Sequence, residues 1–132
     1  MRRPERVADM LREEIAQIVG YELDDPRVAM VTVTDVRVSD NLRDARVYVV
    51  VEGDEAEIST ALVALRRAAP YVRKQLGMAL NLRHTPELHF VRDTVEEQGT
   101  RVDQLLAELE REWDSQSPTE DEKAKRGERS DE

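Results

Sequence analysis

The sequence predicts a single α+β domain in which helices cover a small sheet. Three observations lead there. Apolar residues recur at helical spacing over residues 3–20 and 54–80, and they alternate as in strands over 28–52 and 87–91. No linker-like stretch divides these segments. At 132 residues the chain is long enough to bury a core without metals or disulfides, and it contains no cysteine.

Residues from about Arg3 to Gly20 form the first predicted helix. Val7, Met10, Leu11, Ile15, Ile18 and Val19 mark its apolar face, Pro4 suits its first turn and Gly20 its end. Asp24-Asp25-Pro26 then signals a turn, because Pro26 pushes Asp25 out of helical geometry. From Val28 to Val38 the chain is β-branched and alternating. Val31 and Val33 share one face, but Val36 and Val38 fall in step with Thr32 and Thr34. That change of phase predicts a bulge near Thr34-Asp35. Ser39-Asp40-Asn41 opens a loop, and Ala45 to Glu52 resumes as the second strand of an antiparallel hairpin.

Asp54 to Ala69 is the next predicted helix, with Ile58, Leu62, Leu65 and Ala69 as its stripe and Asp54, Glu55 and Glu57 where the dipole favours acids. Pro70 interrupts it, yet the stripe continues in phase through Val72, Leu76 and Ala79 or Leu80. The pattern predicts two helices meeting at a kink over Ala68, Ala69 and Pro70. Glu87 to Val91 alternates as a third strand, and Thr94 to Trp113 carries Val95, Val102, Leu105, Leu106 and Leu109 at helical spacing. After Trp113 no large apolar residue remains. Residues 1–113 are the expected folded domain and 114–132 an expected disordered acidic tail.

Charge is unevenly distributed. The net charge is −9, but residues 1–94 hold 14 basic and 16 acidic side chains, whereas residues 95–132 hold 6 and 13. Within the first part, Ile58 to Pro86 contains no acid and carries Arg66, Arg67, Arg73, Lys74 and Arg83. Such an island is the usual footprint of a phosphate-rich partner, although a basic run also serves simply as a solvated face. Arg66 and Arg73 are seven apart, as are Arg67 and Lys74. Each pair therefore falls on nearly one helical face, and the four form a predicted stripe opposite the core, extended by Arg83 and His84. Arg2, Arg3 and Arg6 form a smaller cluster, interleaved with Glu5 and Asp9. Arg3, Arg6, Arg66, Arg67, Arg73, Lys74, Arg83 and His84 are the candidate RNA contacts. Tyr71 is the one aromatic placed to stack on a base, against the commoner role of a packed, half-buried tyrosine.

Catalytic patterns are missing. None of the five glycines lies within six residues of another, so there is no Gly-rich phosphate loop. His84 and His89 are five apart across a proline, which does not match a helical metal pair, and no carboxylates stand out as an acid–base couple. No enzyme activity, cofactor or metal is expected. No apolar run reaches membrane-spanning length and no signal peptide is visible, so a cytoplasmic protein is expected.

The order helix–strand–strand–helix–kink–helix–strand resembles the type II KH arrangement of bacterial proteins. Within it, Arg6-Val7-Ala8, Asp25-Pro26-Arg27, Val31-Thr32-Val33-Thr34-Asp35-Val36 and Thr85-Pro86-Glu87-Leu88-His89-Phe90 resemble the ribosome-binding factor A family. The resemblance covers roughly residues 3–110, with the segments in the family's order and spacing. It implies a KH-like fold without the GxxG loop and a monomeric, non-enzymatic assembly factor. Such a factor binds the immature small ribosomal subunit, contacts 16S rRNA near the decoding region and neck, and supports late processing of the 16S precursor. The family is also linked to cold adaptation and to release by an assembly GTPase. Its Ala-x-Gly kink falls on Ala68-Ala69-Pro70, so proline stands where glycine is usual, and Met78 and Asn81 occupy positions that tend to be basic. The competing expectation is a protein-interaction adaptor whose basic helix meets an acidic protein.

Overall fold

A computed structural model describes the backbone of residues 3–115 and the side chains of residues 4–111. Residues 3–94 form one compact unit, and the helix that begins at Val95 belongs to a second. The expected tail from residue 116 onward lies outside the described residues, while Asp114 and Ser115 continue the last helix.

Helix α1 spans Arg3–Gln17. Gly20 does not end it. The chain widens instead into one π-helical turn, Ile18–Glu22, closed by the Leu23 N–H donating to the Ile18 carbonyl at 3.1 Å. Ile15, Ile18 and Val19 are buried there, so the wider turn keeps all three apolar side chains on the core. Met10 is exposed, unlike the other apolar residues of the stripe.

Val28, expected in the first strand, belongs to a short 3-10 turn, Pro26–Val28, and strand β1 is Val31–Val38. Local chemistry outweighs β-branching at this point. Asp25 caps the turn by accepting from the Arg27 N–H at 2.9 Å, and Pro26 supplies the fixed φ of a first turn. The Arg27 guanidinium donates to both Asp25 carboxylate oxygens, at 3.0 and 2.7 Å.

Strand β2 (Asp44–Val51) pairs antiparallel with β1, and β3 (Glu87–Arg92) pairs parallel with β2, which puts β2 in the centre. The bulge falls where the change of phase predicts, with the register shifting between Val33 and Asp35. It leaves the Thr34 hydroxyl donating to Asp93 at 2.6 Å, just past the end of β3. Helix α2 spans Glu55–Ala79 and is the crossover that a parallel pair requires. The two helices expected around Pro70 are one continuous helix. Apolar packing of Leu65, Val72 and Leu76, all fully buried, holds both halves on the same sheet and outweighs the lost donor.

Both ends of α2 are chemically marked. Asp54 and Glu57 form a capping box, Glu57 N–H to Asp54 at 2.8 Å and Asp54 N–H to Glu57 at 3.2 Å. At the other end Asn81 takes a positive φ of 52° and the Leu82 N–H reaches back to the Gly77 carbonyl at 3.0 Å, a Schellman closure built on asparagine. One core joins Leu11 and Ile15 of α1, Ala45, Val47 and Val49 of β2, Leu65, Val72 and Leu76 of α2, and Leu88 and Phe90 of β3. Both helices therefore cover the same face of the sheet, α1 mostly over β1 and α2 over β3. This is the α+β, type II KH-like arrangement that the element order predicts. Helix α3 (Val95–Ser115) forms the second unit, and its Val95, Val102, Leu105, Leu106 and Leu109 are exposed. Among the described residues no helix is long and apolar enough to cross a membrane.

Two outcomes follow from local geometry. The Arg27 guanidinium, and after it the Arg27 N–H, hold Asp25 below the usual carboxylate range. A carboxyl lowered on folding contributes stability above its unfolded pKa of about 3.9 and loses it as pH falls through the folded value. In Arg27→Gln the Asp25 midpoint, followed by carboxyl-carbon NMR, rises toward the ordinary value; an unmoved midpoint contradicts the pairing. At Gly77 an added Cβ would lie 2.6 Å from the Thr85 hydroxyl. Gly77→Ala therefore destabilises despite alanine's better helix propensity, and combination with Thr85→Ala recovers the loss, a coupling of about 0.5 kcal/mol or more in urea unfolding.

Candidate nucleic-acid interface

The acid-free stretch maps onto α2, the loop after it and the approach to β3. Its four central cations do not form one stripe. Arg66 and Arg73 lie on the flank of α2 that faces β3. Arg66 donates through Nε and Nη2 to the Phe90 carbonyl at 3.4 and 3.3 Å, and Arg73 donates to the Thr85 carbonyl at 3.0 and 2.9 Å. The sheet explains the first pairing. Glu87 and Asp93 donate N–H to Arg43 and Val49, so odd-numbered residues of β3 face β2 and even-numbered ones face the open edge. The Phe90 carbonyl therefore points outward, and Arg66 covers it. An open strand edge is a template for unwanted pairing, and a charged side chain laid over it is a known safeguard.

Arg67 and Lys74 lie opposite the core. Both are exposed, and neither makes a hydrogen bond or ion pair with any described residue. Between them, exposed Pro70 and Tyr71 complete the outer surface, which continues to exposed Val63 and Met78. Arg83 and His84 are exposed in the loop beyond the helix, again without a partner among the described residues. Two of the eight candidate residues, Arg66 and Arg73, thus hold the fold while keeping their charge, and Arg67, Lys74, Arg83 and His84 are free to meet a ligand.

The N-terminal cluster stands apart. Arg6 is exposed on α1, which packs mainly on β1, whereas α2 packs on β3. Arg2 and the Arg3 side chain lie outside the described residues. Ala68 and Ala69 are half-buried and Pro70 is exposed, so the proline ring lies on the water side of the helix.

One cluster is not legible in the residue spacing. Asp44, Glu87 and His89 bring their polar atoms within 4.8 Å of one another on the sheet face opposite α1 and α2, and His89 Nε2 lies 2.9 Å from Asp44 Oδ1. The parallel register creates it by setting Asp44 beside Glu87. All three are exposed. An exposed histidine on β3 agrees with the alternation of that strand.

The fold and this surface together define a KH-like α+β domain that presents unpaired cations along its central helix and has no GxxG loop. Comparison with known proteins makes the assignment specific. The family model for ribosome-binding factor A matches residues 3–106. Ribosome-binding factor A of Desulfitobacterium hafniense is 46% identical over 110 residues, covering 83% of this chain and 88% of that one. The crystal structure of ribosome-binding factor A from Thermus thermophilus superposes with a TM-score of 0.61 at 29% identity, over 67% of this chain and 94% of that chain. A homology model of the Thermus thermophilus factor, fitted into the cryo-EM map of a 30S–RbfA complex, gives 0.54 at 30% identity, over 64% and 88%. This chain belongs to the ribosome-binding factor A family.

The division of labour on α2 has a direct test. Arg66→Ala and Arg73→Ala each lower stability in urea unfolding by about 1 kcal/mol, the ordinary worth of a hydrogen bond at a partly exposed site. Arg67→Ala and Lys74→Ala stay within about 0.5 kcal/mol of the parent, as surface substitutions do. Equal losses at all four positions would contradict the assignment.

Proposed function

We propose that this chain is a non-enzymatic assembly factor of the small ribosomal subunit. It binds the free immature subunit through 16S rRNA and supports late processing of the 16S precursor. The observation that carries the reading is the unpaired Arg67–Lys74 face of α2, set in an acid-free stretch of a chain that is otherwise acidic. Family membership supports it, as does the related Thermus factor placed in a 30S complex.

The physical role of the face is electrostatic. Each phosphate neutralised by a lysine or arginine releases counterions, so binding weakens as salt rises. The backbone of α2 is held by its core contacts, by Arg66 anchored on β3 and by Arg73 anchored on the loop before it, so Arg67 and Lys74 are presented without a folding cost at the moment of binding. Arg83 and His84 extend the contact, Arg6 on α1 adds a separate one, and the acidic C-terminal residues take no part in it. The factor acts in the cytoplasm as a monomer, and an assembly GTPase assists its release. Growth in the cold, where misfolded rRNA is slow to rearrange, is when the need for it is greatest.

Co-sedimentation with separated small subunits, large subunits and whole ribosomes tests this reading. The wild type pellets with small subunits. Arg67→Glu/Lys74→Glu, folded by circular dichroism, loses at least tenfold in affinity, and its log–log salt slope becomes shallower by roughly 1.5. Binding that is unaffected by the double substitution moves the contact off α2. Binding that requires a ribosomal protein, and is absent with bare rRNA, indicates a protein adaptor instead.

A further inference from the structure

Tyr71 is 45% exposed, and its hydroxyl has no partner among the described residues. It borders a groove of about 300 Å³ between α2 and the turn before β1, whose other lining residues are Glu22, Leu23, Asp25, Val28, Ala64 and Ala68. Ala64, Ala68 and Tyr71 follow one another at helical spacing, so two alanines make the helix side of the groove and the ring stands at its end. That volume is at the low end of the range for small-molecule sites, about 300 to 1,000 Å³, and suits a single planar base.

The surroundings of the groove give it polarity. Arg67 is four residues before Tyr71 and Lys74 three after, so both unpaired cations neighbour the ring on the helix surface. Inside the groove the charge is reversed. Glu22 is an exposed carboxylate without a partner among the described residues, and Asp25 is engaged by Arg27. A phosphate is drawn to the cations and repelled from the groove. A nucleobase fits the opposite way, with its face on the tyrosine and an exocyclic amino group toward the Glu22 carboxylate.

We propose that this groove receives one unpaired nucleobase, stacked on Tyr71, with the adjoining phosphates held by Arg67 and Lys74. The inference rests on the reading of α2 as an RNA-binding surface and narrows its ligand to RNA containing a bulged or single-stranded nucleotide. A base inside a duplex is already stacked on both faces and cannot enter. Stacking tolerates different bases, because each has a π-face, so the subsite selects for unpaired structure more than for sequence.

The test uses two RNA hairpins that differ only by a single bulged 2-aminopurine. Binding is followed by fluorescence anisotropy and stacking by 2-aminopurine quenching, with the full-length chain. The wild type binds the bulged hairpin about tenfold more tightly than the paired one, the order expected for one base–aromatic stack, and quenches the probe. Tyr71→Phe keeps both effects. Tyr71→Ala loses the preference and the quench while its affinity for the paired hairpin is unchanged. Ala68→Leu fills the groove with Tyr71 still present and also loses both, which keeps the test decisive should Tyr71→Ala fold poorly. Quenching that survives Tyr71→Ala overturns the proposal. Equal wild-type affinity for both hairpins removes the base subsite alone, whereas failure to bind either hairpin removes the RNA reading of α2 and the subsite with it.

Discussion

The parallel pairing of β2 with β3 is the constraint from which most of this structure follows. Parallel neighbours cannot be joined by a hairpin, so the chain leaves the end of β2 and returns to the start of β3. The return distance is about 26 Å for an eight-residue strand, and a 25-residue helix spans about 37 Å, enough to cross the sheet completely. Helix α2 therefore packs against β3 and, being longer than that six-residue strand, extends past it. Its inner face supplies Ile58, Leu65, Val72 and Leu76 to the core, its flank reaches the β3 edge, and its outer face is left to water. Each of the three surfaces has its own chemistry.

That geometry explains how an acidic protein offers a basic surface. Opposite charges close to the ends of α2 are consumed locally: Asp54 and Glu57 by the helix cap, and Glu55 by Arg92 at 3.1 Å. Beside the middle of the helix, Asp25 is paired with Arg27 and Glu22 lines the groove along Ala64 and Ala68, while the helix itself carries only cations there. With screening over roughly 8 to 10 Å at ordinary ionic strength, carboxylates farther away than that do little to cancel the field around Arg67 and Lys74. Arg66 and Arg73 add to it while bonded, because a guanidinium that donates to a neutral carbonyl keeps its full charge. Arg66 thus closes a strand edge, Arg73 ties down the loop before it, and both deepen the potential over the neighbouring face.

Features that depend on near neighbours were legible in the residues. The Thr34 bulge shows as a change of phase, the start of α2 shows in Asp54 and Glu57, and the exposed alternate positions of β3 follow from Leu88 and Phe90. Features that depend on which strand lies beside which were not. The Phe90 target of Arg66 exists only once β3 is known to have an open edge along α2, and the Thr85 target of Arg73 only once the loop before β3 lies beside the helix. The Asp44–Glu87–His89 cluster likewise joins residues more than forty positions apart through the parallel register. Val28 reads as strand because its β-branching is visible at a glance, while the competing Asp25 cap is a three-dimensional hydrogen bond. Family resemblance reached further than periodicity for function, since charge alone leaves a solvated basic helix and an RNA-binding helix indistinguishable.

Pro70 shows how packing decides between two local rules. Proline lacks the N–H that would reach the Arg66 carbonyl, and its ring crowds the preceding turn, so local preference favours a break. The break does not occur because Leu65 and Val72, seven residues apart and both fully buried, require the same helical phase on either side. The penalty is smallest where the proline is found. Its ring is on the exposed surface, where water can take up the acceptor that the helix leaves unpaired, and no buried group is orphaned. Placed on the inner face, the same residue would leave a carbonyl without a donor inside the core. A proline between Arg67 and Lys74 also stiffens the stretch of backbone that presents them, since its φ is fixed. Position on the helix thus turns a helix breaker into a rigid element of the exposed face.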